Sequence, residues 1–177
     1  TRMILGYISR TTSVEVDKAI DSSYLSFEKW RNFDYRERIE ILKKAVKDIS
    51  DRKFELAALL TLENGKNRFE AVADVDEAID FINFYCFEMK MNNGFKAKNL
   101  VSKKNEKNIS IMKPYGVWGI ISPFNFPAAI FVGMTIGAII TGNTAIVKPA
   151  SNTPIIGYKI VEILLSAGLP PGVLNFI

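Results

Sequence analysis

The chain has 177 residues, 48% of them hydrophobic, with 23 Lys and Arg, 19 Asp and Glu, one cysteine and no histidine. This length predicts one domain, large enough to bury about 70% of its unfolded surface. Without histidine the chain builds no Ser-His-Asp triad, Cys-His pair or His-based metal site. With Cys86 alone it builds no disulfide framework, so a reducing, cytoplasmic compartment is expected.

The charges are unevenly placed. After Lys113 only Lys148, Lys159 and Glu162 remain, so the first two thirds read as solvated helices and the last third as core. The net charge of +4 does not argue for nucleic acid, because DNA-binding domains cluster basic charge on one face. The opening TRMILGYISR has no apolar run ending in a cleavage site, so no targeting segment is expected. The uncharged stretch Pro114–Val147 raises the membrane question. Pro123, Pro127 and Gly142-Asn143 cut it to roughly Phe126–Thr141, shorter than the ~20 residues a span needs. A buried core helix is expected there, and no membrane contact.

In chain order, Thr12 and Glu15 fit a capping box. Val16, Ala19, Ile20, Tyr24 and Phe27 follow at helical spacing. A second helix is expected from about Asp34, with Ile39, Leu42, Val46 and Ile49 on one face. A third should start at Asp51 and carry Leu56, Leu59 and Leu60. Beyond Gly65 a long fourth helix carries Phe69, Val72, Val75, Ile79, Ile82, Tyr85 and Met89. All four are amphipathic. Asn92-Asn93-Gly94 stops the run. Phe95–Val101 and Asn108–Lys113 then read as a hairpin around the polar turn Ser102–Lys107. Its lysines at 96, 98, 103, 104 and 107 read as a solvated edge that resists pairing, ahead of a polyanion patch.

After Pro114 strands and helices alternate. Val117–Ile121 is expected to be a strand buried on both faces, followed by a helix near Pro127–Ile140. Thr144–Val147 is the next strand and Ile155–Ala167 the next helix. Val173–Ile177 begins a third strand. This β-α-β-α-β order predicts an α/β fold with a parallel sheet and right-handed crossovers. The chain stops inside that last strand, with too few helices to cover both faces of a parallel sheet. A fragment of a longer protein is therefore expected.

Ligands of such sheets bind where strands end and helices begin. Two loops qualify, Ser122–Pro127 and Lys148–Pro154, and they should lie side by side. Asn125 is either an amide donor to a developing oxyanion or the N-cap of the following helix. Lys148 is either a phosphate- or ribose-binding cation or a surface lysine at a strand end. No GxGxxG and no P-loop pattern occurs. Cys86 lies on an apolar helix with no base nearby in sequence, so it reads as a buried structural thiol.

Lys113-Pro-Tyr-Gly-Val-Trp-Gly-Ile-Ile-Ser-Pro-Phe-Asn-Phe-Pro127 closely resembles the aldehyde dehydrogenase superfamily. Gly142-Asn-Thr-Ala-Ile-Val-Lys-Pro-Ala-Ser-Asn-Thr-Pro154 and Ala167-Gly-Leu-Pro-Pro-Gly-Val-Leu-Asn175 continue the match in order. Glu63-Asn-Gly-Lys66 resembles the family's helical N-terminal region. The resemblance implies oxidation of an aldehyde with NAD or NADP through a cysteine thiohemiacetal. It implies that Asn125 is catalytic, donating its amide to the oxyanion. It implies that Ile121, Ser122, Pro123 and Phe124 line the cofactor cleft, that Lys148 holds the adenosine ribose, and that Ala150 and Ser151 in the same loop also bind the cofactor. NAD-strict members often carry Glu at position 151. Serine there does not repel a 2′-phosphate, so NADP is also admitted.

The chain departs from the family pattern in lacking its nucleophilic cysteine, its general-base glutamate and its second glycine-bearing cofactor motif. Cys86 does not match the nucleophile's motif. The expected organisation is residues 1–92 as the helical part of the cofactor-binding domain, 93–113 as an oligomerisation hairpin, and 114–177 as the start of the cofactor sheet, with no catalytic domain. Glu63–Phe81 is most similar to 1-pyrroline-5-carboxylate dehydrogenases, which oxidise glutamate semialdehyde. Alternatives are another aldehyde dehydrogenase, such as one for succinate semialdehyde, or a non-catalytic nucleotide-binding or oligomerisation module. The expected partners are a small aldehyde and further copies of the chain.

Overall fold

Four helices precede any sheet in the computed structural model, which describes residues 4–177. They are α1 (Ser13–Trp30), α2 (Tyr35–Asp51), α3 (Lys53–Asn64) and α4 (Arg68–Met91). Thr1–Met3, part of the opening read for a targeting segment, lie outside the described residues.

The capping box forms. The Thr12 backbone N–H donates to Glu15 Oε2 at 2.7 Å and its hydroxyl donates to the same oxygen at 2.9 Å. These bonds hold the Glu15 carboxyl below its ordinary pKa. The buried face of α1 is Ala19, Ser23, Phe27 and Trp30, whereas Ile20 and Tyr24 are exposed. Polar contacts set this rotation. The Ser23 carbonyl accepts from the Thr144 hydroxyl at 3.1 Å, the Ser23 hydroxyl accepts from Asn175 at 2.8 Å, and Trp30 Nε1 donates to the Ile139 carbonyl at 2.9 Å.

Asp34 caps α2 by accepting from the Arg36 N–H at 2.8 Å, and Ile39, Leu42 and Ile49 are buried as expected. Asp51 does not start α3. It ends α2, paired with Lys47 one turn back. On α4 the buried face is Ala71, Asp74, Val75, Ala78, Ile82, Cys86 and Met89, and Phe69 is exposed. A later helix packs close against α4. A Cβ added at Gly133 on that helix would lie 3.2 Å from the Phe81 ring. Cys86 is 5% exposed, and burial pushes its pKa up to about 11. It therefore carries almost no thiolate near neutral pH.

A tight turn at Asn93–Phe95, with positive φ at all three residues, delays the hairpin. β1 (Lys96–Asn99) pairs antiparallel with β2 (Asn108–Ile111), Lys96 opposite Ile111. Both strands are exposed throughout and shorter than the alternation predicts.

The remaining elements are β3 (Val117–Ile121), α5 (Ala129–Ile140), β4 (Thr144–Lys148), α6 (Pro154–Ser166) and β5 (Leu174–Phe176). The three strands are parallel in the order β3-β4-β5, so the α/β fold with its antiparallel hairpin stands as expected. β4 is central and buried over Thr144–Val147. β3 is not buried on both faces, since Trp118 and Ile121 are exposed. Among the described residues it pairs on one side only, with β4. α5 is apolar all round and buried, with Phe131, Val132, Ile136, Ile139 and Ile140 in the core. Each such side chain stabilises the fold by about 1.5–3 kcal/mol. No helix among the described residues is long and apolar enough to cross a membrane.

Gly142-Asn143 does more than stop α5. Buried Asn143 accepts from the Tyr115 and Gly116 amides at 2.6 and 2.9 Å and donates to the Ala138 carbonyl at 3.2 Å. It ties the entry of β3 to the turn before β4. The buried side chains of helices and sheet form one cluster running from Trp30 to Leu174.

Candidate functional site

The parallel register fixes where the two loops leave the sheet. Ile121 pairs with Lys148, and the Ser122 N–H donates to the Lys148 carbonyl at 3.1 Å. Ser122–Pro127 and Lys148–Pro154 therefore start side by side at the carboxyl ends of neighbouring strands, where open α/β sheets bind ligands.

In the first loop Ile121 is 76% exposed, and Pro123, Phe124 and Asn125 are exposed with it. Ser122 is buried, and its hydroxyl has no partner among the described residues. The cap reading of Asn125 is corrected. α5 begins at Ala129 with Ala128 in the cap position and no side-chain cap of its own. Its first amide is taken by Asp74 of α4, whose Oδ1 accepts from Ala129 N–H at 2.8 Å. The Asn125 side chain forms no hydrogen bond among the described residues, so its amide stays available as a donor.

In the second loop Lys148 is exposed, and its ammonium donates to the Pro149 carbonyl at 3.0 Å. Ala150 is half-buried and Ser151 exposed. The Thr153 N–H donates to the Ala150 carbonyl at 3.0 Å, turning the chain into α6. Lys148 and Ser151 line a cavity of about 360 Å³, together with Ser9, Arg10, Thr11 and Phe176. Ile121–Asn125 do not line it. The N-terminal Ser9–Thr11 contribution carried no signal in the sequence.

A third segment reaches both loops. α3 ends at Gly65 in the left-handed conformation, φ +84°, which a Cβ disfavours. The residues around this corner point in different directions. Glu63 accepts from the Ile155 and Ile156 amides at 2.7 and 3.0 Å, capping α6 just after the second loop. Burial pushes its carboxyl pKa up, and the two amide donors oppose that shift. Asn64 donates to the carbonyl of Phe124 in the first loop. The Lys66 ammonium lies 3.1 Å from Asp74 Oδ2, with side-chain exposures of 9% and 0%. This is a charge contact rather than an aligned hydrogen bond, since that oxygen has no hydrogen-bond partner. The same ammonium sits 3.9 Å from the centroid of the Phe126 ring. Asp74 was missed in the sequence, yet it had a signal. It lies three residues after Ala71 and four before Ala78, a carboxylate on the core-facing stripe.

The chemistry on offer is polar and neutral-to-cationic. It comprises one free amide donor, one ammonium bonded only to its neighbour's carbonyl, and one buried hydroxyl without a partner. No group of three His, Cys, Asp or Glu side chains among the described residues could hold a metal ion. The orphaned Ser122 hydroxyl and the Lys148 ammonium fit the ribose and phosphate oxygens of a dinucleotide.

The aldehyde dehydrogenase family model matches residues 1–177. The chain is 43% identical over 175 residues to 1-pyrroline-5-carboxylate dehydrogenase 1 of Halalkalibacterium halodurans, covering 98% of this chain and 33% of that protein. It superposes with a TM-score of 0.90 on 1-pyrroline-5-carboxylate dehydrogenase from Thermus with bound NAD, at 40% identity over 96% of this chain and 33% of that one. It superposes with a TM-score of 0.92 on bifunctional proline utilization A (PutA), at 30% identity over 97% of this chain and 18% of that one. The chain thus spans about a third of the length of the curated relatives it matches. With the family model matched from end to end and the solved relatives sharing its strand and helix arrangement, the chain belongs to the aldehyde dehydrogenase family.

Proposed function

We propose that the chain is the N-terminal part of an NAD(P)-dependent dehydrogenase that oxidises glutamate 5-semialdehyde, the open form of 1-pyrroline-5-carboxylate, in proline catabolism. The observation that carries this reading is Asn125. It is an unbonded amide donor on a proline-bounded loop at the carboxyl end of β3, beside the Lys148 loop. The relatives named above supply the substrate class.

In this reading the residues divide the work as follows. Ile121, Ser122, Pro123 and Phe124 form one wall of the cofactor cleft, with the buried Ser122 hydroxyl as its polar point. Lys148 binds ribose hydroxyls, and Ala150 and Ser151 shape the loop beside it. Bound NAD or NADP supplies the hydride acceptor. The nucleophilic cysteine and the general base belong to sequence outside these 177 residues. When the thiolate adds to the aldehyde carbon, the carbonyl oxygen becomes an oxyanion, and Asn125 donates its side-chain N–H to it. The donor is held before charge develops, which is what makes such stabilisation effective.

Ser151 places no carboxylate against a 2′-phosphate, so both dinucleotides are admitted. The exposed β1–β2 ribbon, with Ile109 and Ile111 about half exposed, supports homo-oligomer formation through the hairpin. A single buried thiol supports a cytoplasmic location. The helices of 1–92, the hairpin of 93–113 and the sheet of 114–177 are assigned to the cofactor-binding half of the enzyme.

Steady-state assay of the full-length enzyme tests the reading. With 1-pyrroline-5-carboxylate, kcat/KM should exceed that with succinate semialdehyde by at least about tenfold, a difference of about 1.4 kcal/mol in transition-state binding. Preference for succinate semialdehyde would reassign the substrate. No dinucleotide reduction with either would favour a non-catalytic module.

A further inference from the structure

We propose that Asn64, Lys66 and Asp74 are positioning residues that aim Asn125, a role that rests on the oxyanion function proposed above. Asn125 sits in the segment Ser122–Ala128, between the end of β3 and the start of α5. That segment makes few bonds of its own. Its amide anchor at the strand end is Ser122 N–H to Lys148, and the Ile130 N–H donates back to the Phe126 carbonyl at 3.1 Å. Both residues flanking Asn125 are held from outside the loop by one corner of the helical region. The Phe124 carbonyl accepts from Asn64. The Phe126 ring lies under the Lys66 ammonium at 3.9 Å. The helix that follows is held by Asp74 through the Ala129 amide at 2.8 Å.

These three contacts form one unit. Lys66 and Asp74 are paired at 3.1 Å and both are buried, so neither side chain can shift without uncovering the other's charge. The result is a clamp on residues 124, 126 and 129 that leaves 125 unbonded. That is the arrangement an oxyanion donor needs, since its N–H groups must be unoccupied while its backbone is fixed. A loop held only at its ends would let the amide wander, and misplacement by ~1 Å costs about 10²-fold in rate. The alternative, that the corner merely packs two helices together, gives no reason for Asn64 to reach a loop carbonyl next to Asn125.

The test is a double-mutant cycle in the full-length enzyme. Asp74→Asn keeps the shape and the acceptor for Ala129 but removes the charge that holds Lys66. Asn64→Ala leaves the buried pair intact and frees the Phe124 carbonyl. Each should lower kcat by about tenfold or more. In an Asn125→Ala background each should lower kcat by less than about twofold, because the group they aim is gone. Should Asp74→Asn fail to fold, the Asn64→Ala cycle decides alone. If either change lowers kcat as much in the Asn125→Ala background as in the wild type, the role is structural and the proposal is overturned. A wild-type kcat unmoved by Asn64→Ala would overturn it equally. A wild-type enzyme inactive on every aldehyde would instead remove the oxyanion reading itself, a result these variants do not mimic.

Discussion

Asn125→Ala in the full-length enzyme is expected to lower kcat by about 10²–10³-fold, the usual size of the loss when one oxyanion donor is removed. The fall should appear in kcat and kcat/KM together, since the interaction exists only once the oxygen carries charge. Stability should not follow. Asn125 is exposed and bonds to nothing among the described residues, and surface substitutions of that kind stay within about 0.5 kcal/mol. The loop and α5 keep their other anchors, because the cap that Asn125 was a candidate to provide is supplied by Asp74. Parallel kinetics and thermal unfolding separate the two effects. A loss in kcat below about tenfold would contradict the oxyanion role. A large drop in melting temperature would show that Asn125 is structural.

The largest effect on stability is expected from Lys66→Met. The substitution keeps an apolar side chain of similar length but removes the ammonium from over the Phe126 ring and leaves the Asp74 carboxylate, 0% exposed, without its cation. Breaking a buried pair on one side costs about 3–5 kcal/mol, because the remaining charge is desolvated and uncompensated. That is a large part of the ~5–15 kcal/mol by which domains are stable. Asp74 also caps α5, so the loss should spread to the helix that fills the core. The comparison is Lys53→Met, which removes the cation from the more exposed pair with Asp76 at 2.7 Å. Pairs of that kind contribute about 0–1 kcal/mol. Urea unfolding of the two variants should separate them clearly. A cost below about 1 kcal/mol for Lys66→Met would mean that water reaches Asp74, and the clamp would lose its physical basis.

Much of the architecture was legible because its signals are local. The capping box at Thr12, the apolar run of α5 and the Pro and Gly punctuation of the last third each follow from short-range chemistry. The structure places them within a residue or two. What was not legible depends on packing. Tyr24 and Phe69 satisfy helical spacing, but Ser23 and Ala71 take the inward positions, Ser23 because it bonds to the sheet. β3 reads as buried from its composition, and among the described residues Trp118 and Ile121 are exposed where β3 pairs on one side only. The start of α3 was misplaced because Asp51, a good cap by type, pairs back to Lys47 instead.

The site divided in the same way. Asn125, Ser122 and Lys148 could be named because they stand at loop positions that follow from the β-α-β order. The helical corner at Glu63–Lys66 read only as a likeness, and its use became visible once Glu63 was seen capping α6 and Asn64 reaching Phe124. By sequence Asp74 is one charge among many on α4. Its position on the buried stripe set it apart, since a carboxylate facing the core needs a partner.

The central claim is that the loops after β3 and β4 together form the dinucleotide cleft. Hydrogen exchange of the full-length enzyme with and without NAD tests it most directly. Ligand-induced protection is expected in the amides of 121–126 and 148–153, with the hairpin 96–111 unchanged. Protection absent from both loops and confined to other elements would contradict it.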